Sequence, residues 1–124
     1  MQRIPGTLIV GVLGVAGAAW LLAQDAVKVD PKHYKVEFEN DQVRVLRIHY
    51  KPGEKSVMHA HPDSVAVFLT DNTVKFSYPD GKSEEKSGKA GDALWTPAGT
   101  HLPENIGSTP TDVILVELKS KSGK

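Results

Sequence analysis

Beyond residue 23 the hydrophobic pattern alternates, and no stretch shows a convincing helical period. Val36 and Phe38 alternate with Lys35, Glu37 and Glu39, which predicts a short strand. The run VRVLRIHY at 43–50 puts Leu46, Ile48 and Tyr50 on one face and Val43, Val45, Arg47 and His49 on the other. Ser56 to His61 alternates again, and VAVFLT at 65–70 is continuous enough for a buried strand. Val74, Phe76 and Tyr78 alternate with Lys75 and Ser77, and Pro79-Asp80-Gly81-Lys82 then predicts a hairpin turn. The polar strand around 83–86 is expected at a sheet edge, inside the charge-rich run KSEEKSGK that discourages sheet-to-sheet pairing. Short strands at 93–96 and 113–118 (VILVEL) complete the pattern, with Pro- and Gly-rich turns between them. Eight to ten short strands of this kind predict an all-β sandwich or barrel.

The first 23 residues are different material. Gly6 to Ala23 carries no charge, Arg3 precedes it, and Ala18, Ala19 and Ala23 gather at its end. This is the layout of a secretory signal peptide, with cleavage expected after Ala23 or Ala19. The run is also near the ~20 residues a membrane helix needs, so an uncleaved anchor is the alternative. Either way the remainder is expected to be exported, to the periplasm or outside the cell, with a membrane contact only if the leader is retained. The expected organisation is a leader at 1–23, a lead-in at 24–35, one domain at 36–118 and a solvated tail at 119–124.

Charge and cysteine content narrow the chemistry. The chain of 124 residues has 15 basic and 15 acidic side chains, so no basic field exists to hold nucleic acid. It has no cysteine, which excludes disulfides, thiolate metal sites and a cysteine nucleophile. An exported domain stable without disulfides suits a bacterial periplasm. Any metal must be held by histidine, carboxylate or carbonyl groups.

Three of the five histidines stand out. His59 and His61 are two apart in a predicted strand and share a face. His101 follows a Pro-Ala-Gly turn. Two imidazoles on one strand and a third from a neighbour can ligate one divalent ion. Gly53 lies six residues before His59, Gly91 six before Pro97, and Gly99, His101 and Asn105 follow. These two segments, PGEKSVMHAH and GDALWTPAGTHLPEN, resemble the two motifs of the cupin superfamily. More closely, the chain is similar to small single-domain cupins of the beta-alanine degradation protein BauB type. The resemblance implies a double-stranded β-helix, or jelly-roll barrel, after the hydrophobic leader. It implies a divalent metal, with Fe, Mn, Ni and Zn undistinguished, on His59, His61 and His101. It also implies a homodimer, a reading helped by the apolar last strand.

Two departures qualify the likeness. The family's glutamate falls at Val65 or Ala66, so the usual fourth ligand is absent and Glu104 is the nearest candidate to replace it. One residue, Thr100, separates Gly99 from His101 where the motif has two. A deletion in a turn is absorbed, whereas in a strand it would turn His101 to the other face; the turn is favoured by Pro97 and Gly99. Tyr50, Tyr78 and Trp95 are candidates for a barrel mouth or for the core. Asp63 is placed to orient a ligand imidazole or to cap the Pro62 turn. Asn105 is expected to pin its loop. His33 and His49 have no evident partners and read as surface residues. Three function classes stay open: a small metalloenzyme, dioxygenase-like or related, acting on a small molecule; a non-catalytic exported module binding metal or a small ligand; and a structural cupin that binds nothing.

Overall fold

The computed structural model describes residues 24–120. The leader expected at 1–23 and the last residues of the tail lie outside the described residues. Among those described, no helix is long and apolar enough to cross a membrane.

A four-residue helix, α1 (Ala26–Val29), precedes nine strands. They are β1 (Tyr34–Glu39), β2 (Val43–Tyr50), β3 (His59–His61), β4 (Ser64–Phe68), β5 (Asn72–Ser77), β6 (Ser83–Gly88), β7 (Ala93–Thr96), β8 (Gly99–Asn105) and β9 (Thr111–Leu118). They form two antiparallel sheets, one in the order β1-β2-β9-β4-β7 and one in the order β3-β8-β5-β6. Strand β2 occupies the residues its alternation predicts, and Leu46, Ile48 and Tyr50 are buried as one face. Strand β6 is exposed along nearly its whole length at a sheet edge, as its charges imply. At the turn before it Gly81 has φ of 88°, a conformation that favours glycine.

Strand β8 is the element the pattern hides. Pro103 sits inside it, and proline cannot donate to a ladder. The strand tolerates it because its two halves pair differently. Residues 99–101 pair with β3, whereas 102–105 pair with β5, and the Pro103 carbonyl accepts from Ser56 N–H at 3.0 Å. Gly99 is already the first residue of β8 and Thr100 pairs with Ala60, so the second motif is one residue short within the strand, not in the turn as expected. His101 still shares a face with His59, because the two are direct cross-strand partners.

The core lies between the sheets. Ala26, Tyr34, Leu46, Ile48, Tyr50, Ala66, Val113 and Leu115 form one buried cluster, with Val27 and Phe68 packed against it. Segment 24–35 is therefore more than a lead-in, since α1 and Tyr34 close one end of the core. Leu46 is fully buried. Leu46→Ala is expected to cost about 2–5 kcal/mol of stability, read as a lowered urea midpoint with an unchanged slope.

Candidate metal centre

The three histidines meet on the inner face of the smaller sheet. His59 and His61 are the two ends of β3, with Ala60 pointing the other way. His101 is the direct cross-strand partner of His59. One ligand-capable nitrogen from each ring lies within 4.8 Å of the other two. A point equidistant from three such atoms is within about 2.8 Å of each, so movement of under about 1 Å reaches the ~2.0–2.1 Å of an imidazole–zinc bond. The His59–His61, His59–His101 and His61–His101 ring centroids are 4.7, 4.9 and 5.3 Å apart.

Hydrogen bonds select the tautomer that a metal needs. His59 Nδ1–H donates to the Val57 carbonyl at 2.8 Å, with Ser56 Oγ 3.0 Å away. Ser56 in turn donates to buried Asp30 at 2.7 Å. His61 Nδ1–H donates to Glu117 Oε2 at 2.6 Å. Both rings therefore turn an Nε2 lone pair toward the centre. The Nε2 atoms of His59 and His101 are buried without any hydrogen-bond partner. Buried polar atoms are rarely left so, because each costs desolvation without return.

Burial lowers the His59 pKa to about 4, and the neighbouring His61 adds to the shift. Burial, then His61 and His59, lowers His101 to about 2. Both rings are therefore neutral at physiological pH, the form that can ligate a metal ion. Without metal, the unfolded chain takes up protons first as pH falls below the ordinary histidine value of about 6.5. Stability present above about pH 6.5 is therefore lost progressively on acidification, by roughly 3 kcal/mol from His59 alone at pH 4. Thermal melts of metal-free protein across that range should show a falling midpoint; a flat profile would contradict the burial of these rings.

A carboxylate network stands behind the three histidines. Glu117 is only 3% exposed and is held by Arg44, whose Nε donates to Oε1 at 2.9 Å. Arg44 also pairs with Asp25. Tyr34 packs its ring 4.8 Å from His59 and 5.6 Å from His61, and shares a 2.7 Å hydrogen bond with Tyr50. Burial raises the Tyr34 pKa well above the usual phenol value, so its hydroxyl stays protonated. Phe76 closes the other side, 5.1 Å from His101.

The remaining candidates fall elsewhere. Glu104 is three residues beyond His101 in a continuous strand, so parity places it on the opposite face, and it does not complete the ligand set. Asp63 accepts from Ala98 N–H at 2.8 Å and tethers the Pro-Ala-Gly turn instead of orienting an imidazole. Tyr50 is buried in the core, one hydrogen bond removed from the site through Tyr34. Tyr78 bonds Glu84 at the hairpin, and Trp95 is 53% exposed on edge strand β7, so neither lines the site. Asn105 does pin its loop, donating to the Tyr50 and Thr109 carbonyls and accepting from Gly107 N–H. His49 is half-exposed beside Asp112. His33 is not a surface residue: it is 5% exposed, bonded to Asp30 at 2.7 Å and to Glu54 at 3.2 Å, and stacked on Tyr50 at 4.1 Å.

Among solved structures, the chain is similar to a cupin domain from Bordetella pertussis Tohama I, at 26% identity and a TM-score of 0.65, covering 70% of this chain and 92% of that one. The chain is a cupin by fold. An RmlC-like cupin family protein with a double-stranded β-helix fold from Methanocaldococcus jannaschii agrees, at 18% identity and a TM-score of 0.53, covering 72% and 83%. So does a protein with a double-stranded β-helix domain from Klebsiella pneumoniae, at 23% identity and a TM-score of 0.53, covering 71% and 84%. No protein-family profile matches the chain. No curated protein matches it either, so the finer likeness to BauB-type cupins gains no support.

Proposed function

We propose that this cupin holds one divalent transition-metal ion on the Nε2 atoms of His59, His61 and His101 and acts through it on a small molecule. The observation that carries the reading is the pair of buried, partnerless Nε2 atoms of His59 and His101, close to His61. Nitrogen donors suit Fe, Mn, Ni or Zn, and the absence of a carboxylate from the ligand set leaves the ion's charge uncompensated at its open side. Bound there, the ion would supply Lewis-acid or oxidising chemistry to an anionic small molecule. The chain's own residues contribute the rest. Glu117 and Val57 fix the rings, while Tyr34 and Phe76 wall the ligands against water.

A second reading, a non-catalytic metal or small-ligand module, is favoured by one feature. Glu117 is the carboxylate bonded to a ligand ring, and it is already committed to His61 and Arg44, so it is not free to move a substrate proton. Oxygen uptake and substrate loss, followed with metal-loaded protein over a panel of small carboxylic acids, separate the two. The enzyme reading expects turnover that His101→Ala removes; the module reading expects metal-dependent binding without product.

We also propose export, on the strength of the charge-free run from Gly6 to Ala23 behind Arg3. Mass spectrometry of protein from its native host should find an N-terminus near Gln24 or a full-length membrane-bound form. A full-length cytoplasmic protein would refute it.

A further inference from the structure

The space between the two sheets is closed on one side by the lead-in, where Asp25 bridges to Ala60 of β3 and Ala26 joins the core. On the other side stand the edge strands β6 and β7. There the register turns side chains inward that nonetheless meet solvent. Leu94 is the cross-strand partner of buried Ala66 and so faces inward, yet it is 39% exposed. Lys86 is the partner of buried Val74 and faces inward too, with its side chain 59% exposed. Side chains that point to the interior and stay wet mark an opening. Phe76 joins that opening to the histidines: its ring is 5.1 Å from the His101 ring, and Lys86 Nζ lies 5.9 Å from its centroid. Burial and the other two imidazoles lower the His101 pKa most, and the Lys86 charge adds to that shift, so its field reaches the site. Parity points two cations of the described strands inward, Arg44 and Lys86. Arg44 is committed to Glu117 and Asp25. Lys86 is left with Glu84 at 3.6 Å, through a carboxylate oxygen that also accepts from the Tyr78 hydroxyl.

The geometry points to Lys86 as the residue that takes the carboxylate of the site's ligand, a small organic acid whose second oxygen donor sits on the metal ion. The inference rests on the metal centre proposed above. Three neutral imidazoles bring no negative charge to a divalent ion, so an anionic oxygen donor is the complement its open side calls for. Between the histidines and Lys86, Phe76 and Leu94 offer apolar contact, which suits a short carbon chain. A single ammonium matches one carboxylate charge, whereas a phosphate dianion calls for an arginine fork or a helix N-terminus. A cationic ligand would meet the ion and Lys86, both of its own sign, and an uncharged one would leave Lys86 unused.

Calorimetric titration of the zinc-loaded full chain with succinate, and with its monoamide succinamate, tests this, each protein first being assayed for zinc by elemental analysis. Wild type should bind succinate about 10-fold more tightly than succinamate, and Lys86→Met should erase that difference by weakening succinate about 10-fold. Lys86→Arg, which keeps the charge, should restore most of the succinate affinity. Lys75→Met removes the same charge from the outward-facing register of the adjacent strand, where Lys75 pairs with Glu85, and should leave succinate binding unchanged. One zinc per chain without succinate binding, or with binding that Lys86→Met leaves intact or that Lys75→Met weakens equally, overturns the assignment of Lys86 while the metal centre stands. A wild type that holds no zinc overturns both.

Discussion

His101→Ala is expected to lower divalent-metal affinity by well over about 100-fold. Loss of a group that merely orients a ligand typically costs 10–100-fold, and here one of three ligands goes. His101 is the most informative of the three positions, because it lies on the strand in which the second cupin motif is one residue short. If the shortened motif left its ring idle, the substitution would cost nothing in affinity. The pairing of His101 with His59 and the orphaned Nε2 argue that it does not. The same variant removes an imidazole whose pKa burial lowers to about 2, so the acid-induced loss of stability below about pH 6.5 should become shallower. Calorimetric metal titration and pH-dependent melts on one preparation check both effects.

Glu117→Ala is expected to act on stability and on the site together. The substitution deprives His61 Nδ1–H of its acceptor and leaves Arg44, itself about four-fifths buried at 19% exposure, with Asp25 as its remaining carboxylate. Breaking a buried pair from one side typically costs about 3–5 kcal/mol; Asp25 retains part of the compensation, so about 2–3 kcal/mol is expected here. Metal affinity should fall about 10–100-fold, because His61 then loses the bond that holds its tautomer. Glu117→Gln separates the two effects. Its amide oxygen can still accept from His61, so affinity should recover more than stability, since the charge facing Arg44 stays lost. Denaturant melts and metal titrations of both variants distinguish this from a purely structural role, under which affinity would not change in folded protein.

The strands built on plain alternation are legible in the sequence, and so are His59 and His61, because period two puts them on one face without further information. His101 is legible through its spacing from Gly99 and Asn105, but its strand is not, since Pro103 reads as a breaker until the divided pairing of β8 is known. Glu117 is hidden inside VILVEL, where it looks like the polar end of an apolar strand. Its parity with Val113 and Leu115 is the signal that it faces inward, and a buried carboxylate there requires partners. His33 and Tyr34 are harder. Their partners Asp30, Glu54 and Tyr50 come from irregular or distant segments, and no local periodicity brings them together. The missing glutamate at Val65 or Ala66 is visible from the motif. That Glu117 enters from a neighbouring strand, opposite Ser64, to bond a ligand ring is visible only from the strand register.

Elemental analysis after equilibrium dialysis of the full chain against a divalent transition metal, with the His59→Ala/His61→Ala double variant alongside, tests the metal centre most directly. One ion per chain in the wild type and none above background in the folded double variant is the result predicted. No bound ion in the wild type, or equal loading of the two proteins, would contradict it.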